Sequence, residues 1–177
     1  CRSLCSFCPY CKVPYDAALC DRYIDALLEE IRLVGEGGGG RKQVTSLYFG
    51  GGTPALAAGR LGEIVRELEK YFDITEGIGV ELHPDDVVPE VLETLRAAGV
   101  TRISIGIQSF QPKFQQLLGR APVDGAALAR ALVTVPFQTV SMDFIFALPG
   151  QTFEDLRRDV DAAFARGANH VAIYPFI

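Results

Sequence analysis

Four of the chain's five cysteines fall within its first eleven residues, at Cys1, Cys5, Cys8 and Cys11. A disulfide framework spreads its cysteines so that each bridge closes a sizeable loop, whereas crowded thiols suit metal ligation in a reducing compartment. Cys1, Cys5 and Cys8 bring three soft ligands onto one short loop, which is what an iron–sulfur cubane requires. Three ligands on four irons leave one iron open to a small molecule. The same residues allow a second reading, a structural zinc site with Cys11 as fourth ligand. Zinc sites usually join two ligand knuckles a dozen or more residues apart, and this sequence has no second pair, so the spacing favours the cluster. Cys20 stands apart and reads as a small buried thiol.

Further along, polar and glycine residues gather just after apolar stretches. Gly50-Gly51-Gly52-Thr53-Pro54 follows one such stretch, and glycines there let the backbone approach a ligand and present N–H and C=O groups to it. Glu81, Gln108, Arg120 and Asp143 are polar candidates in the same sense. Carboxylates accept from hydroxyls and ammonium groups, and arginine pairs with carboxylates. Taken singly, each of the four reads as a solvated or backbone-bonded side chain. His83 and His170 are the only histidines, and both read as structural; Pro84 is expected to end the strand before His83 can share a face with Glu81.

Strands and helices in strict alternation must position these residues. Apolar residues at helical spacing predict helices over 21–34, 60–72 and the stretch opened by Pro89 and closed by Gly99. Strands are predicted over 44–49, 78–82, 102–107, 140–147 and 170–174. Phe110, Phe114 and Leu118 mark a further helical face, as do Leu128 and Leu132, and Thr152 with Asp155 resembles a capping box. Such a βα series builds a parallel sheet, closed either as a barrel or as an open doubly wound sheet. Both put active sites at the carboxyl ends of strands.

The 177 residues, 49% hydrophobic and 22% charged, suit one globular domain with a core that needs no disulfides. A net charge of -5 argues against a nucleic-acid partner held through phosphates. There is no apolar run of membrane-spanning length and no secretory leader, so a cytoplasmic protein is expected.

The cysteine loop, Cys1-Arg2-Ser3-Leu4-Cys5-Ser6-Phe7-Cys8, resembles the CxxxCxΦC loop of the radical S-adenosylmethionine (SAM) superfamily, Φ being aromatic. Tyr48-Phe49-Gly50-Gly51-Gly52-Thr53-Pro54, Val80-Glu81-Leu82-His83-Pro84 and Ser104-Ile105-Gly106-Ile107-Gln108-Ser109-Phe110 are similar, in order, to segments of the oxygen-independent coproporphyrinogen III oxidase family. So are Leu117-Leu118-Gly119-Arg120 and Asp143-Phe144-Ile145-Phe146-Ala147-Leu148-Pro149-Gly150. The resemblance implies a partial (β/α)6 barrel and two cofactors, a [4Fe–4S] cluster on Cys1, Cys5 and Cys8 and SAM chelated at its open iron. It implies that the cluster cleaves SAM to a 5′-deoxyadenosyl radical. It assigns Gly51, Gly52 and Thr53 to the segment that holds the SAM amino group and Phe7 to a place beside the adenine. Glu81, Gln108, Arg120 and Asp143 match further SAM contacts. Cys11 departs by one residue from the family's extra cysteine and is not counted as a ligand.

The implied partners are a small-molecule substrate, a tetrapyrrole if the activity carries over, and an electron donor such as flavodoxin or ferredoxin. Haem chaperones and radical SAM methyltransferases share these segments and are the alternatives within the family. The resemblance also places a strand before residue 1 and a C-terminal domain after residue 177, so residues 1–177 are expected to be a single radical SAM core domain, a fragment lacking its first strand.

Overall fold

Apolar side chains that alternate along each strand face, with amphipathic helices between, generate the same unit several times over in the computed structural model, which describes residues 1–176. The first half holds α1 (Ala17–Glu36), β1 (Lys42–Val44), β2 (Leu47–Phe49), α2 (Ala58–Glu69), β3 (Phe72–Ile74), β4 (Ile78–Leu82) and α3 (Pro89–Ala97). The second holds β5 (Val100–Gln108), α4 (Pro112–Leu117), α5 (Gly125–Thr134), β6 (Thr139–Phe146), α6 (Phe153–Ala165) and β7 (His170–Pro175).

The main sheet has five strands in the order β2-β4-β5-β6-β7, every neighbouring pair parallel. Each new strand adds to the same edge. A doubly wound sheet reverses its order at a switch point; this one never does, so it is an arc of a (β/α) barrel. The described residues supply five strands of that arc.

Strand period two sorts the two faces. Val80, Ile105, Ile107, Met142 and Phe144 are fully buried and pack with Leu61 and Ile64 of α2, Leu92 and Leu95 of α3 and Leu128 of α5. The residues between them carry the polar groups. In register across the sheet, Glu81 lies opposite Ser104, Ser104 opposite Ser141 and Ser141 opposite His170. Gly106 likewise lies opposite Asp143.

Several boundaries differ from the sequence expectation. The expected strand over 44–49 is two strands, because the chain changes partner at Thr45 and Ser46: β1 pairs with β3, and β2 with β4. β3 has only three residues, too few to show a period. α1 starts earlier than its apolar stripe, because Asp16 caps it by accepting from the Leu19 N–H at 2.7 Å. The capping box of Thr152 and Asp155 is present at the start of α6. Cys20 is half-buried against the core, as a small thiol would be. No helix among the described residues is long and apolar enough to cross a membrane.

Candidate functional site at the strand carboxyl ends

Residues 1–13 form neither helix nor strand. A turn in which the Cys8 N–H donates to the Cys5 carbonyl (3.3 Å) draws two of the cysteines together. Cys1, Cys5 and Cys8 are half-buried free thiols, while Cys11 is exposed. Among the described residues no three His, Cys, Asp or Glu side chains are already gathered as they would be around a single ion. A cubane binds each ligand at a different iron and so spreads its thiolates more widely. Three unbridged, half-buried thiols on one loop fit that group.

Three contacts hold this loop against the barrel. Phe7 packs on a small apolar cluster of Phe114, Leu118, Ile145 and Leu148. The Arg120 guanidinium lies 5.3 Å from the Phe7 ring centroid and donates from Nε to Cys5 Sγ at 3.4 Å. Arg2, between the first two cysteines, donates to Asp86 Oδ1 at 2.7 Å. Asp86 is only 1% exposed and its Oδ2 has no protein partner. A buried carboxylate that loses its cation is costly, so Arg2→Ala is expected to lower stability by roughly 1–3 kcal/mol, discounted for the exposed arginine. Urea denaturation at neutral pH measures it; an unchanged midpoint would remove the ion pair from the account.

The glycine run meets the loop from the other side. Gly51 and Gly52 adopt φ of 82° and 62°, which a side chain would resist, and a Cβ on Gly52 would sit 3.7 Å from Cys1 Sγ. Glu81, at the end of β4, accepts from the Gly51 N–H at 3.0 Å and from the Tyr48 hydroxyl at 3.3 Å. Burial, then the charges of Glu81 and Asp143, push the Tyr48 hydroxyl well above the ordinary tyrosine range, so it stays a donor.

Asp143 on β6 accepts from the Ser104 hydroxyl at 2.8 Å to each oxygen and from the Ser141 hydroxyl at 3.3 Å. Ser141 in turn lies 3.0 Å from His170 Nδ1. These groups line a cavity of about 300 Å³ together with Tyr48 and Tyr174. Burial raises the Asp143 carboxyl above its ordinary value, against the two serines that pull it down. The folded protein thus keeps this proton to higher pH than the unfolded chain does. Stability is lost as pH climbs from the unfolded carboxylate range, about 3.9, through the folded value, and stays lost at neutrality. Asp143→Asn is therefore expected to raise the melting temperature at pH 7 by a few degrees, an advantage that disappears below about pH 4. Calorimetry at the two pH values is the check, and a lower melting temperature at pH 7 would refute it.

β5 ends on a bulge between Gly106 and Gln108. Gln108 (φ 70°) and Ala147 (φ 62°), just past β6, are the two non-glycine residues with left-handed backbone among those described. Left-handed backbone in a residue with a side chain marks strain, and both instances fall at strand carboxyl ends. A Cβ on Gly106 would lie 2.9 Å from Gln108 Nε2, so the glutamine amide folds back over the strand face. Arg120 Nη1 donates to the Gly106 carbonyl, bringing the arginine to the same place.

Among the expected site residues, Arg120 touches both Phe7 and Cys5 and Gly51 is bonded to Glu81, while Asp143 lies within β6, bonded to Ser104 and Ser141. β4 ends at Leu82, as Pro84 suggested, and His83 caps the following turn, its Nδ1 accepting from the Asp85 N–H at 3.3 Å. Its structural role is only half satisfied, because the buried Nε2 has no protein partner. Burial, and then the nearby Arg120 cation, lower its pKa. Tyr48, Ser104 and Ser141 were not singled out from sequence. Period two was the available signal: Ser104, Gly106 and Gln108 alternate with three isoleucines.

Residues 1–163 match the family model of the Radical SAM superfamily. The chain is 31% identical to heme chaperone HemW of Lactococcus lactis over 182 residues, 100% of this chain and 47% of that protein. It is 34% identical to the oxygen-independent coproporphyrinogen III oxidase of Salmonella typhimurium over 165 residues, covering 87% of this chain and 35% of that one. The structure of coproporphyrinogen III oxidase from Escherichia coli, a radical SAM enzyme, superposes with a TM-score of 0.86 at 29% identity, covering 100% of this chain and 42% of that one. The chain spans about half the length of the first of these curated relatives. With the family model matched over most of its length, and a cysteine loop seated at the carboxyl ends of a parallel barrel arc, the chain belongs to the radical SAM superfamily, whose cofactors are a [4Fe–4S] cluster and SAM.

Proposed function

We propose that Cys1, Cys5 and Cys8 hold the [4Fe–4S] cluster, and that the protein cleaves SAM to act on a tetrapyrrole, as an oxygen-independent coproporphyrinogen oxidase does. The observation that carries this reading is the contact of Arg120 with both Cys5 and the Phe7 ring, which joins the cysteine loop to the polar strand ends. When bound, the cluster supplies the electron that cleaves SAM; the protein supplies orientation. Glu81 and the Gly51–Thr53 backbone lie where an ammonium group could be held, Arg120 offers a planar fork to a carboxylate, and Gln108 and Asp143 offer acceptors to ribose hydroxyls. Phe7 gives a face to the adenine. Each substrate propionate would give a hydrogen atom to the 5′-deoxyadenosyl group released from SAM and then carbon dioxide and one electron to an acceptor, leaving a vinyl group, with flavodoxin or ferredoxin as the donor that reduces the cluster.

A second reading, a haem chaperone, is favoured by the similarity to HemW, which covers the whole chain. Fold and cofactors are common to both, so the substrate must decide. Anaerobically reconstituted protein, reduced and given SAM with coproporphyrinogen, is the test. Production of 5′-deoxyadenosine in step with loss of carboxyl groups supports the oxidase. Stoichiometric haem binding with no 5′-deoxyadenosine rejects it in favour of the chaperone. Zinc in place of iron and sulfide would reject both.

A further inference from the structure

Gln108 holds a left-handed backbone that its side chain disfavours, and such a residue persists only where its surroundings over-determine it. A single buried amide straddles it. Gln115 Nε2 donates to the Ile107 carbonyl at 2.9 Å and to the Ser109 carbonyl, the residues on either side of Gln108. Turning that amide over would set its oxygen against two carbonyls, so its orientation is fixed by what it holds. Asp159 of α6 secures the next two residues, accepting from the Ser109 hydroxyl at 2.6 Å and the Phe110 N–H at 2.9 Å. Gln115 and Ser109 are 0% exposed and Asp159 is 1% exposed.

The same glutamine reaches a second candidate. The Arg120 N–H donates to the Gln115 carbonyl at 2.8 Å, while Arg120 Nη1 donates to the Gly106 carbonyl. Gln115 therefore ties the strained turn of β5 and the start of the arginine segment into one rigid piece. Gln108 and Arg120 belong to that piece and have the cofactor-facing roles proposed above, while Gln115 and Asp159 are buried.

We infer that the side chains of Gln115 and Asp159 are positioning groups for SAM, acting through Gln108, beside which the Gln115 backbone carbonyl holds Arg120. The inference rests on the reading of Gln108 and Arg120 as SAM contacts. In the cluster-loaded protein, Gln115→Met keeps the length and apolar volume of the side chain and removes the amide. It is expected to weaken SAM binding at least tenfold by equilibrium dialysis, with iron and sulfide per chain unchanged and the SAM-induced change in the electron paramagnetic resonance of the reduced cluster diminished. Gly106→Ala, whose new methyl meets the far end of Gln108 closely and the Leu82 carbonyl only at ordinary contact distance, is expected to weaken SAM binding similarly with little change in melting temperature.

Leu92→Ala, a cavity in the α3 packing, serves as the control for general destabilisation. If Gln115→Met binds SAM within twofold of the parent, or loses no more affinity than Leu92→Ala, Gln115 is merely structural and the inference falls. Should Gln115→Met not fold, Asp159→Asn carries the same comparison, since it keeps size and one acceptor oxygen. Gln108→Ala and Arg120→Ala separate the two levels. Normal SAM binding in both rejects the SAM-site reading itself, whereas weak binding in them with normal binding in Gln115→Met rejects the positioning role alone.

Discussion

Replacing Cys1, Cys5 and Cys8 together with alanine is expected to reduce iron after anaerobic reconstitution from about four per chain, the content of one cubane, to background. The fold should survive the change. None of the three thiols belongs to either buried apolar cluster, and the loop that carries them has no helix or strand to lose. Circular dichroism therefore ought to match the parent while the visible absorption of the cluster disappears. Cys11→Ala, at an exposed position off the three-ligand set, should keep its iron in full. The pair of variants separates cubane from zinc, because a tetrahedral zinc site would need Cys11 as much as the others. Full cluster content in the triple variant would sink the ligand assignment.

Arg120→Ala is expected to weaken SAM binding on the order of 10- to 100-fold in cluster-loaded protein, the range for losing a charge-assisted hydrogen bond in a half-buried site. One guanidinium here makes three contacts: Cys5 Sγ, the Phe7 ring and the Gly106 carbonyl. Its loss removes a proposed partner for the SAM carboxylate and also frees the Phe7 side of the loop. Arg120→Lys is expected to restore little, since an ammonium has the charge but not the planar fork that spans such separated partners. Equilibrium dialysis with iron content measured on the same sample is the check. Affinity within twofold of the parent at equal iron content would remove Arg120 from the SAM site.

The parts of the site legible in the chain were those encoded over a few residues. Ligand type and spacing favour a cluster on Cys1, Cys5 and Cys8 over zinc, and Gly50–Gly52 points to a close backbone approach because glycine tolerates the φ that Gly51 and Gly52 adopt. Glu81 and Gln108 stand at the ends of β4 and β5 and Asp143 lies within β6, and period two in the three strands places their ends to within two residues. Their meaning as a group came from the ordered family resemblance, since any one alone reads as an ordinary polar residue.

What the local pattern could not carry was every relation between distant segments. Alternating strands and helices allow both a barrel arc and a doubly wound sheet; only the uniform strand order decided it, because order depends on which edge each strand joins. The break at Thr45 and Ser46 arises from a change of pairing partner, which no window of the sequence contains. Arg2 and Asp86 are 84 positions apart and look like unrelated surface charges until folding buries one of them. Gln115 and Asp159 carry no local signal of burial, yet both are buried and bond the residues around the strained end of β5. Spacing along the chain thus pointed to the chemistry proposed, a cysteine loop that meets the glycine run after β2. Tertiary packing decided how that chemistry is aimed, because the groups that orient Glu81, Gln108, Arg120 and Asp143 come from segments that meet only in the folded sheet.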